Sequence, residues 1–438
     1  MSKMKLFKIP KLLKIFTDLK FAIFILILIA LGSSVGSVIE QDEPLLFYQN
    51  SYPLDKPIYG FINWKLITIF EIDHIYRAWW FLTLLIILGI CLVSCTITRQ
   101  FPLFINSKEY LFKKEKKSFQ SLPFFVKIQN LFYLKETIIL KLQNLNFHIY
   151  QNKNLIYGYR GLIGRISPIL VHLSLIIILA GASIGAFQNF KAQEVLPKGE
   201  LFHIQNPIKV GWLTNLPNLN VRVNDFWVEY EKNKIHQFYS NLSILDNYGS
   251  EIKEQTISVN NPLRYKNIDI YQSDWNLLGI RVKKISEDKI YEFPLFSLKK
   301  DTKAWITWIE TNKENYTLIF DQLQNVFLVY DEKGSFLFVK NIGDFIDSDS
   351  IVLDILPSTG LLIKYDPGII VIYVGFGLLM LTTSLSYLPY TQIWIFNQAK
   401  NSWIGGMTNR GKIQLEIEFE NLIRYIEKIN LKKLSQLK

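Results

Sequence analysis

The chain has 438 residues, of which 49% are hydrophobic, and it carries a formal net charge of +11. A chain of this length could form two or three soluble domains. However, four uncharged, apolar stretches are each long enough to cross a bilayer, which excludes an ordinary soluble protein. The charge does not indicate nucleic-acid binding, because the sequence shows no soluble basic domain with interleaved aromatic residues.

The first predicted elements are a basic N-terminal segment, 1–20, and a transmembrane helix over 21–39. The segment contains six Lys and one Asp. The apolar helix is longer than the core of a signal peptide, which has about 7–15 residues, and no clear small-residue cleavage site precedes Glu40. We therefore expect this helix to remain in the membrane.

A loop, 40–77, leads into a second predicted span, 78–98. Trp79 and Trp80 stand where that span begins, which is typical of an aromatic belt at the membrane interface. A contact with a planar ligand is the alternative. Later in the same span, Cys91 and Cys95 share one helical face, where a disulfide would be geometrically awkward. They are predicted to be small buried hydrophobes or, alternatively, a thiol relay.

The next segment, 99–165, contains twelve basic and three acidic residues. Its sequence predicts a short basic helix followed by a small unit of mixed helix and strand. The clustered lysines at 113–117 are typical of a solvated face, although they would also be attracted to an anionic membrane lipid surface. We assign no further function to this segment.

The third predicted span, 166–188, contains His172. This residue is seven positions beyond Arg165 and therefore roughly 10 Å along the helix. Ionisable side chains at that depth are rare and usually functional. A neutral imidazole hydrogen-bonded to a neighbouring helix is the simplest role, and a proton relay or ligation of a metal or haem iron are the others. The five histidines are far apart in sequence, so a dedicated metal cluster would depend on the fold.

The large segment 189–366 has alternating apolar residues, β-branched residues and turns that contain Asn, Asp or Gly. This pattern predicts antiparallel strands and a mostly-β domain. A fourth span is predicted over 367–389, and the tail, 390–438, has the spacing of an amphipathic helix.

The distribution of charge between the spans predicts an orientation. Segments 1–20, 99–165 and 390–438 together contain 26 basic and eight acidic residues. Segments 40–77 and 189–366 contain 23 basic and 30 acidic residues. By the positive-inside rule, the first three segments lie on the cytoplasmic or stromal side. The predicted fold class is an integral membrane α-helical protein with four transmembrane helices and a large, mostly-β extracytoplasmic (lumenal) domain.

Several long blocks of the sequence resemble the ResB/CcsB family, which comprises system II c-type cytochrome biogenesis proteins of plastids, cyanobacteria and many bacteria. They occur in order from about residue 20 to 396, and they include "DHIYRAWWFLTLLIILGICLVSCTITRQFP", "GRISPILVHLSLIIILAGASIGAF", "VNDFWVEY", "IHQFYSNLSILDNYG", "SVNNPLRYKNIDIYQSDW" and "IKYDPGIIVIYVGFGLLM". The resemblance is carried by long blocks and is therefore specific. It does not extend to segment 104–155 or to the C-terminal tail.

The resemblance implies a function in haem delivery across the membrane and haem attachment to apocytochromes. The implied partners are a CcsA-type haem-handling membrane protein and apocytochromes c, which in plastids are cytochrome f and the soluble lumenal cytochrome c. The family's intramembrane histidine matches His172, which is thus expected to be an axial ligand of transiently, non-covalently bound haem. His74, Trp79 and Trp80 are weaker candidates for a haem contact. The implied location is the plastid thylakoid membrane, or a bacterial inner or thylakoid membrane.

Because the chain lacks the C-x-x-C-H motif, it is not itself a c-type cytochrome. We expect a non-autonomous subunit of a cytochrome c synthase complex. One alternative is a membrane scaffold that stabilises the haem-handling partner without contacting haem. Another is a transport-permease subunit, which would need a coupling helix for an ATPase on the cytoplasmic side.

Overall fold

The computed structural model describes residues 11–58, 60–108, 112–129, 135–204, 207–231, 234–299, 302–311, 315–321, 326–398 and 401–436. The chain divides into two compact units. The membrane unit comprises 1–41, 65–183 and 368–438, and the β unit comprises 42–64 and 184–367.

The helices, in chain order, are α1 (Lys11–Phe16), α2 (Leu19–Val38), α3 (Leu45–Ser51), α4 (Trp64–Ile69), a 3₁₀ helix (Ile72–Arg77), α5 (Trp79–Cys95), a π-helical turn (Thr96–Gln100), α6 (Phe101–Lys108), α7 (Lys116–Gln120), α8 (Lys135–Asn144), α9 (Ile163–Gln188), α10 (Gly368–Ser386) and α11 (Lys412–Gln436).

The strands, also in chain order, are β1 (Phe124–Gln129), β2 (His148–Asn152), β3 (Leu155–Arg160), β4 (Phe190–Pro197), β5 (Leu201–His203), β6 (Pro207–Val210), β7 (Asn220–Glu231), β8 (Lys234–Leu245), β9 (Glu251–Ser258), β10 (Leu263–Tyr265), β11 (Ile268–Lys284), β12 (Lys289–Pro294), β13 (Phe296–Lys299), β14 (Thr302–Glu310), β15 (Asn315–Phe320), β16 (Val326–Tyr330), β17 (Phe336–Asn341), β18 (Ser350–Tyr365), β19 (Thr391–Asn397) and β20 (Asn401–Thr408).

The predicted architecture of four transmembrane helices and a large, mostly-β domain is confirmed. Among the described residues, four helical segments are long and apolar enough to cross a membrane. The segment between the third and fourth of these, together with a short stretch after the first, forms a large, mostly-β unit. The four spanning segments are Leu19–Val38, Trp79–Gln100, Ile163–Gln188 and Gly368–Ser386.

Helices α9 and α10 approach each other closely inside the membrane unit. A Cβ atom on Gly375 would lie 2.6 Å from Cγ1 of Ile178 and 3.1 Å from its backbone nitrogen. A Cβ on Gly181 would lie 2.9 Å from the backbone nitrogen of Ile372. Small residues at these positions let the two backbones pack together, which is how helices associate in a medium as apolar as their own side chains.

A five-stranded antiparallel sheet, in the order β1-β20-β19-β3-β2, also belongs to the membrane unit. Strand β3 immediately precedes α9, and β19 follows α10. These two strands pair with Arg160 opposite Thr391. At this junction Gly161 adopts a φ of +78° and lies against the carbonyl of Pro389, so a side chain there would clash. The sheet thus joins two distant parts of the sequence, the segment 99–165 and the C-terminal tail.

One face of this sheet packs against α8 and α11 in an apolar core. In α11, Leu415, Phe419, Leu422 and Ile426 recur at helical spacing and are all buried. The amphipathic helix expected in the tail is therefore present, and its apolar side covers the sheet.

The described residues of the β unit form three antiparallel sheets and two clusters of buried apolar side chains. Their strand orders are β10-β11-β18-β4-β6 with β12 paired to β11, then β5-β7-β8-β9, and then β13-β14-β15-β16-β17. The chain enters this unit from α9 through β4 and leaves it for α10 through β18. These two strands are neighbours, with Phe190 opposite Tyr365.

The α9–α10 contact makes a testable prediction about two glycines of one helix. Gly375→Ala should destabilise the protein by about 1–3 kcal/mol, because the added methyl group overpacks against Ile178. Gly377→Ala should cause no such loss, since, apart from the helix's own nearby backbone, no atom of the described residues lies within 4 Å of a Cβ at Gly377. The measurement is thermal unfolding in detergent together with protein abundance in the membrane. Equal stability of the two variants would show that the helices do not pack as described.

Candidate intramembrane histidine site

His172 on α9 lies between two polar side chains of the π-helical turn that ends the second span. Its Nδ1 is 3.0 Å from Oγ1 of Thr96, and its Nε2 is 3.1 Å from Nε2 of Gln100. All three residues belong to the membrane unit. The predicted intramembrane histidine therefore contacts a neighbouring helical segment through both ring nitrogens.

The hydrogen-bond partners assign the tautomer of His172. The hydroxyl of Thr96 donates its single hydrogen to the carbonyl oxygen of Leu92, at 2.8 Å. Its Oγ1 is then an acceptor toward Nδ1, so Nδ1 carries the proton. The amide nitrogen of Gln100 is a donor, and it therefore meets the lone pair of Nε2. The imidazole is thus assigned as neutral, with its metal-binding Nε2 lone pair directed at Gln100.

The local backbone explains why two side chains of one turn reach the same ring. In the turn Thr96–Gln100, the N–H of Phe101 donates to the carbonyl of Thr96, five residues earlier. Such π-turns are wider than α-helical turns and are frequent at functional sites. The oxygen Oε1 of Gln100 is buried and has no hydrogen-bond partner within the described part of the chain.

Arg165 lies two helical turns before His172 and on the same face of α9. Its guanidinium group stacks over the ring of Tyr390, 5.8 Å from the centroid. Burial raises the pKa of Tyr390, so this phenol is neutral and does not neutralise the arginine. Among the described residues, Nε of Arg165 is buried without a hydrogen-bond partner. A positive charge with unused hydrogen-bonding capacity therefore stands on the same face as the histidine.

His74 lies at the opposite end of the same span. It belongs to the 3₁₀ helix that precedes α5, whereas His172 contacts the turn after α5. The segment Trp79–Gln100 between these ends has 22 residues, which is about 33 Å of helix. The structure therefore does not bring His74 and His172 into one site.

The surroundings of His74 are acidic. Its Nδ1 is 2.9 Å from a carboxylate oxygen of Asp73, and its Nε2 is 4.0 Å from Glu71. The hydrogen bond to Asp73 is the main cause of a raised pKa for His74. Asp73 could orient the ring by accepting from Nδ1, as carboxylates do behind metal-binding histidines. The raised pKa means that a proton competes with a metal ion for this ring up to a higher pH than for an ordinary histidine.

The two tryptophans named in the sequence occupy different environments. Trp79 is 62% exposed at the start of α5. Trp80 donates from Nε1 to the carbonyl of Phe70, at 2.9 Å, and its ring lies 3.3 Å from where a Cβ on Gly32 would stand. Trp79 thus has the exposure of an interfacial anchor, and Trp80 contributes to packing between α2 and α5.

Cys91 is buried and Cys95 is partly buried, and both thiols are free. Among the described residues, no group of three or more His, Cys, Asp or Glu side chains could hold a metal ion.

The chain is similar to known proteins along most of its length. A family model described as the ResB-like family matches residues 19–325, which is more than half of the chain. The chain is 44% identical to the cytochrome c biogenesis protein Ccs1 of Thalassiosira pseudonana, over 94% of this chain and 99% of that protein. It is 41% identical to Ccs1 of Pyropia yezoensis, over 93% and 94% of the two chains. Cytochrome c biogenesis protein CcsB of Nostoc sp. is 38% identical, over 95% and 92%.

The acidic environment of His74 predicts an altered chemical reactivity. Acylation of its imidazole by diethylpyrocarbonate requires the neutral ring, so the reaction midpoint should lie above the ordinary value of 6.5. Asp73→Asn should move this midpoint to lower pH, because it removes the main group that stabilises the protonated ring. Mass spectrometry of the labelled peptide measures both profiles. A wild-type midpoint at or below that of the variant would contradict the assignment.

Proposed function

The chain belongs to the ResB-like family and acts in c-type cytochrome biogenesis, and on this premise we propose that it holds haem in the membrane through Nε2 of His172. In this proposal a CcsA-type haem-handling protein supplies the second axial ligand. Together the two proteins form a cytochrome c synthase complex, in which this chain is a non-autonomous subunit. Haem is the cargo, and it is bound transiently and non-covalently.

The observation that carries the proposal is the pair of contacts at the two ring nitrogens of His172, from which the neutral tautomer is assigned. A histidine that ligates iron is neutral, coordinates through one nitrogen and usually donates a hydrogen bond from the other. In the assigned tautomer, Nδ1 of His172 carries the proton and faces an acceptor, Oγ1 of Thr96, at 3.0 Å. That contact fixes the ring orientation and increases the basicity of Nε2. The residues present therefore fit an axial ligand of haem iron.

Arg165 is placed to bind the carboxylate groups of the haem that His172 would ligate. Haem carries two propionates, and an anion in an apolar environment needs a charged or hydrogen-bonding partner. The guanidinium of Arg165 is on the same face of α9 as His172, and its Nε has no partner among the described residues. Arg165 would thus hold the polar edge of haem near the basic side of the membrane.

Haem attachment requires reduced apocytochrome thiols, and the vinyl groups of haem have to be held against them. This is catalysis by proximity and orientation. We propose that the β unit receives the apocytochrome or braces the partner subunit on the far side. In a plastid the membrane would be the thylakoid, the far side would be the lumen, and the substrates would be cytochrome f and the soluble lumenal cytochrome c.

A scaffold that never contacts haem is the second candidate. It is favoured by the fact that both nitrogens of His172 already have protein partners. In such a scaffold, the histidine would only join α9 to the end of the second span. The two candidates differ in what happens when the imidazole is removed.

His172→Ala should remove haem from the complex co-purified with the CcsA-type partner, because one axial ligand is lost. Added imidazole should restore part of the bound haem by filling the vacant coordination position. The measurement is an optical and pyridine-haemochrome spectrum at equal protein yield, with abundance and topology checked separately. Unchanged haem in the variant would favour the scaffold.

The proposed orientation can be tested with single cysteines, since the two natural ones lie in the second span. Tyr248→Cys and Ile413→Cys introduce thiols at positions that are 95% and 74% exposed in the two units. In sealed thylakoids with the stromal side outward, a membrane-impermeant maleimide should label the cysteine at 413 immediately. The cysteine at 248 should be labelled only after lysis, and labelling in the opposite order would overturn the orientation.

A further inference from the structure

The position that haem iron would take on His172 is filled by a side chain of the same protein. Nε2 of His172 has one lone pair, and the amide nitrogen of Gln100 lies 3.1 Å from it. A lone pair cannot bind a hydrogen and a metal ion at once. Ligation of iron through Nε2 therefore requires Gln100 to leave.

We propose that Gln100 is an exchangeable occupant of the iron-binding position, which caps His172 when haem is absent and swings away when haem binds. This inference rests on the proposed function of His172. It adds a named residue that sets how tightly haem is held.

The arrangement in which Gln100 caps His172 is only weakly stabilised by the contacts of Gln100 itself. Its Nε2 has a partner in His172, but its Oε1 is buried and has none within the described part of the chain. A buried carbonyl oxygen without a partner is unfavourable, and this offsets part of the gain from the N–H···N hydrogen bond. Rotation of the amide away from His172 thus loses little.

Gln100 and Thr96 differ in what happens when iron binds. The contact between Nδ1 and Thr96 lies on the other side of the ring and remains when Nε2 coordinates iron. The contact between Nε2 and Gln100 is the one that breaks. The loss of Thr96 should therefore weaken haem binding, whereas the loss of Gln100 should strengthen it.

The exchange needs no proton transfer and no co-reactant. The hydrogen bond from the Gln100 amide to Nε2 breaks, and a coordinate bond from the same lone pair to iron forms. Because Nδ1 keeps its proton and Thr96 keeps its hydrogen bond to Leu92, the imidazole is neutral before and after. Release of haem is the reverse of this exchange, with Gln100 returning to Nε2.

The test is a titration of the full chain, co-purified with its CcsA-type partner and stripped of haem, with ferric haem. Gln100→Ala should lower the apparent Kd about fivefold, which corresponds to one hydrogen bond of ordinary net strength. Gln100→Leu provides a second variant that also cannot donate and that fills more of the space. The Soret spectrum of both should remain that of the wild-type complex, because the axial ligands do not change.

Thr96→Val and Thr98→Val form a matched pair on the same turn. Both remove a hydroxyl that donates to a backbone carbonyl, but only Thr96 contacts His172. Thr96→Val should raise the apparent Kd, and Thr98→Val should leave it unchanged. In a His172→Ala background, Gln100→Ala should no longer change haem binding.

The outcomes separate this inference from the proposal on which it rests. Equal or weaker haem binding by both Gln100 variants, with haem still dependent on His172, would overturn the exchange while leaving His172 as a ligand. If His172→Ala leaves the apparent Kd and the Soret spectrum unchanged, the proposed function itself fails. Tighter binding by the Gln100 variants that persists without His172 would also overturn the exchange.

Discussion

The close packing of α9 against α10 is the contact on which the rest of the membrane unit depends. Glycines on both helices let the backbones approach, and the strands β3 and β19 that flank the two helices pair with each other. This pairing brings residues around 160 and 391 together, which the sequence separates by more than 200 positions. The sheet therefore ties the start of α9 to the segment that follows α10. This junction fixes where α9 starts, and it therefore also fixes the position of His172 along the helix axis.

The spans could be predicted because they require about 20 residues without charge, a property that is local in sequence. The strands of the β unit could be predicted because alternation is also local. The sheet that joins the basic segment 99–165 to the C-terminal tail could not be predicted. The sequence of a strand does not indicate which strand, hundreds of residues away, it pairs with. The same limit applies to helix α11. Its sequence predicts an apolar side, but the spacing of the apolar residues is the same whether that side faces lipid or a protein sheet.

The candidate site was predicted only in part, for the same reason. His172 stands out because an ionisable residue within an apolar stretch is rare. Thr96 and Gln100 cannot be recognised from the sequence in this way, because polar residues are common at the end of a span. The predicted span ended at residue 98, before Gln100, whereas the helical segment continues through the π-turn to residue 100. Only the fold shows that this turn contacts the histidine.

A residue that carries haem in transit has to bind it and also release it. An imidazole with an empty Nε2 would gain the full strength of the iron bond, and release would be correspondingly slow. When an amide occupies Nε2, each binding event exchanges one interaction for another, so the net affinity is smaller. The second axial ligand then decides whether haem stays or leaves. His74 lies at the far end of the same span and so does not supply that ligand; in the proposed complex the partner supplies it, and control over release rests with the partner.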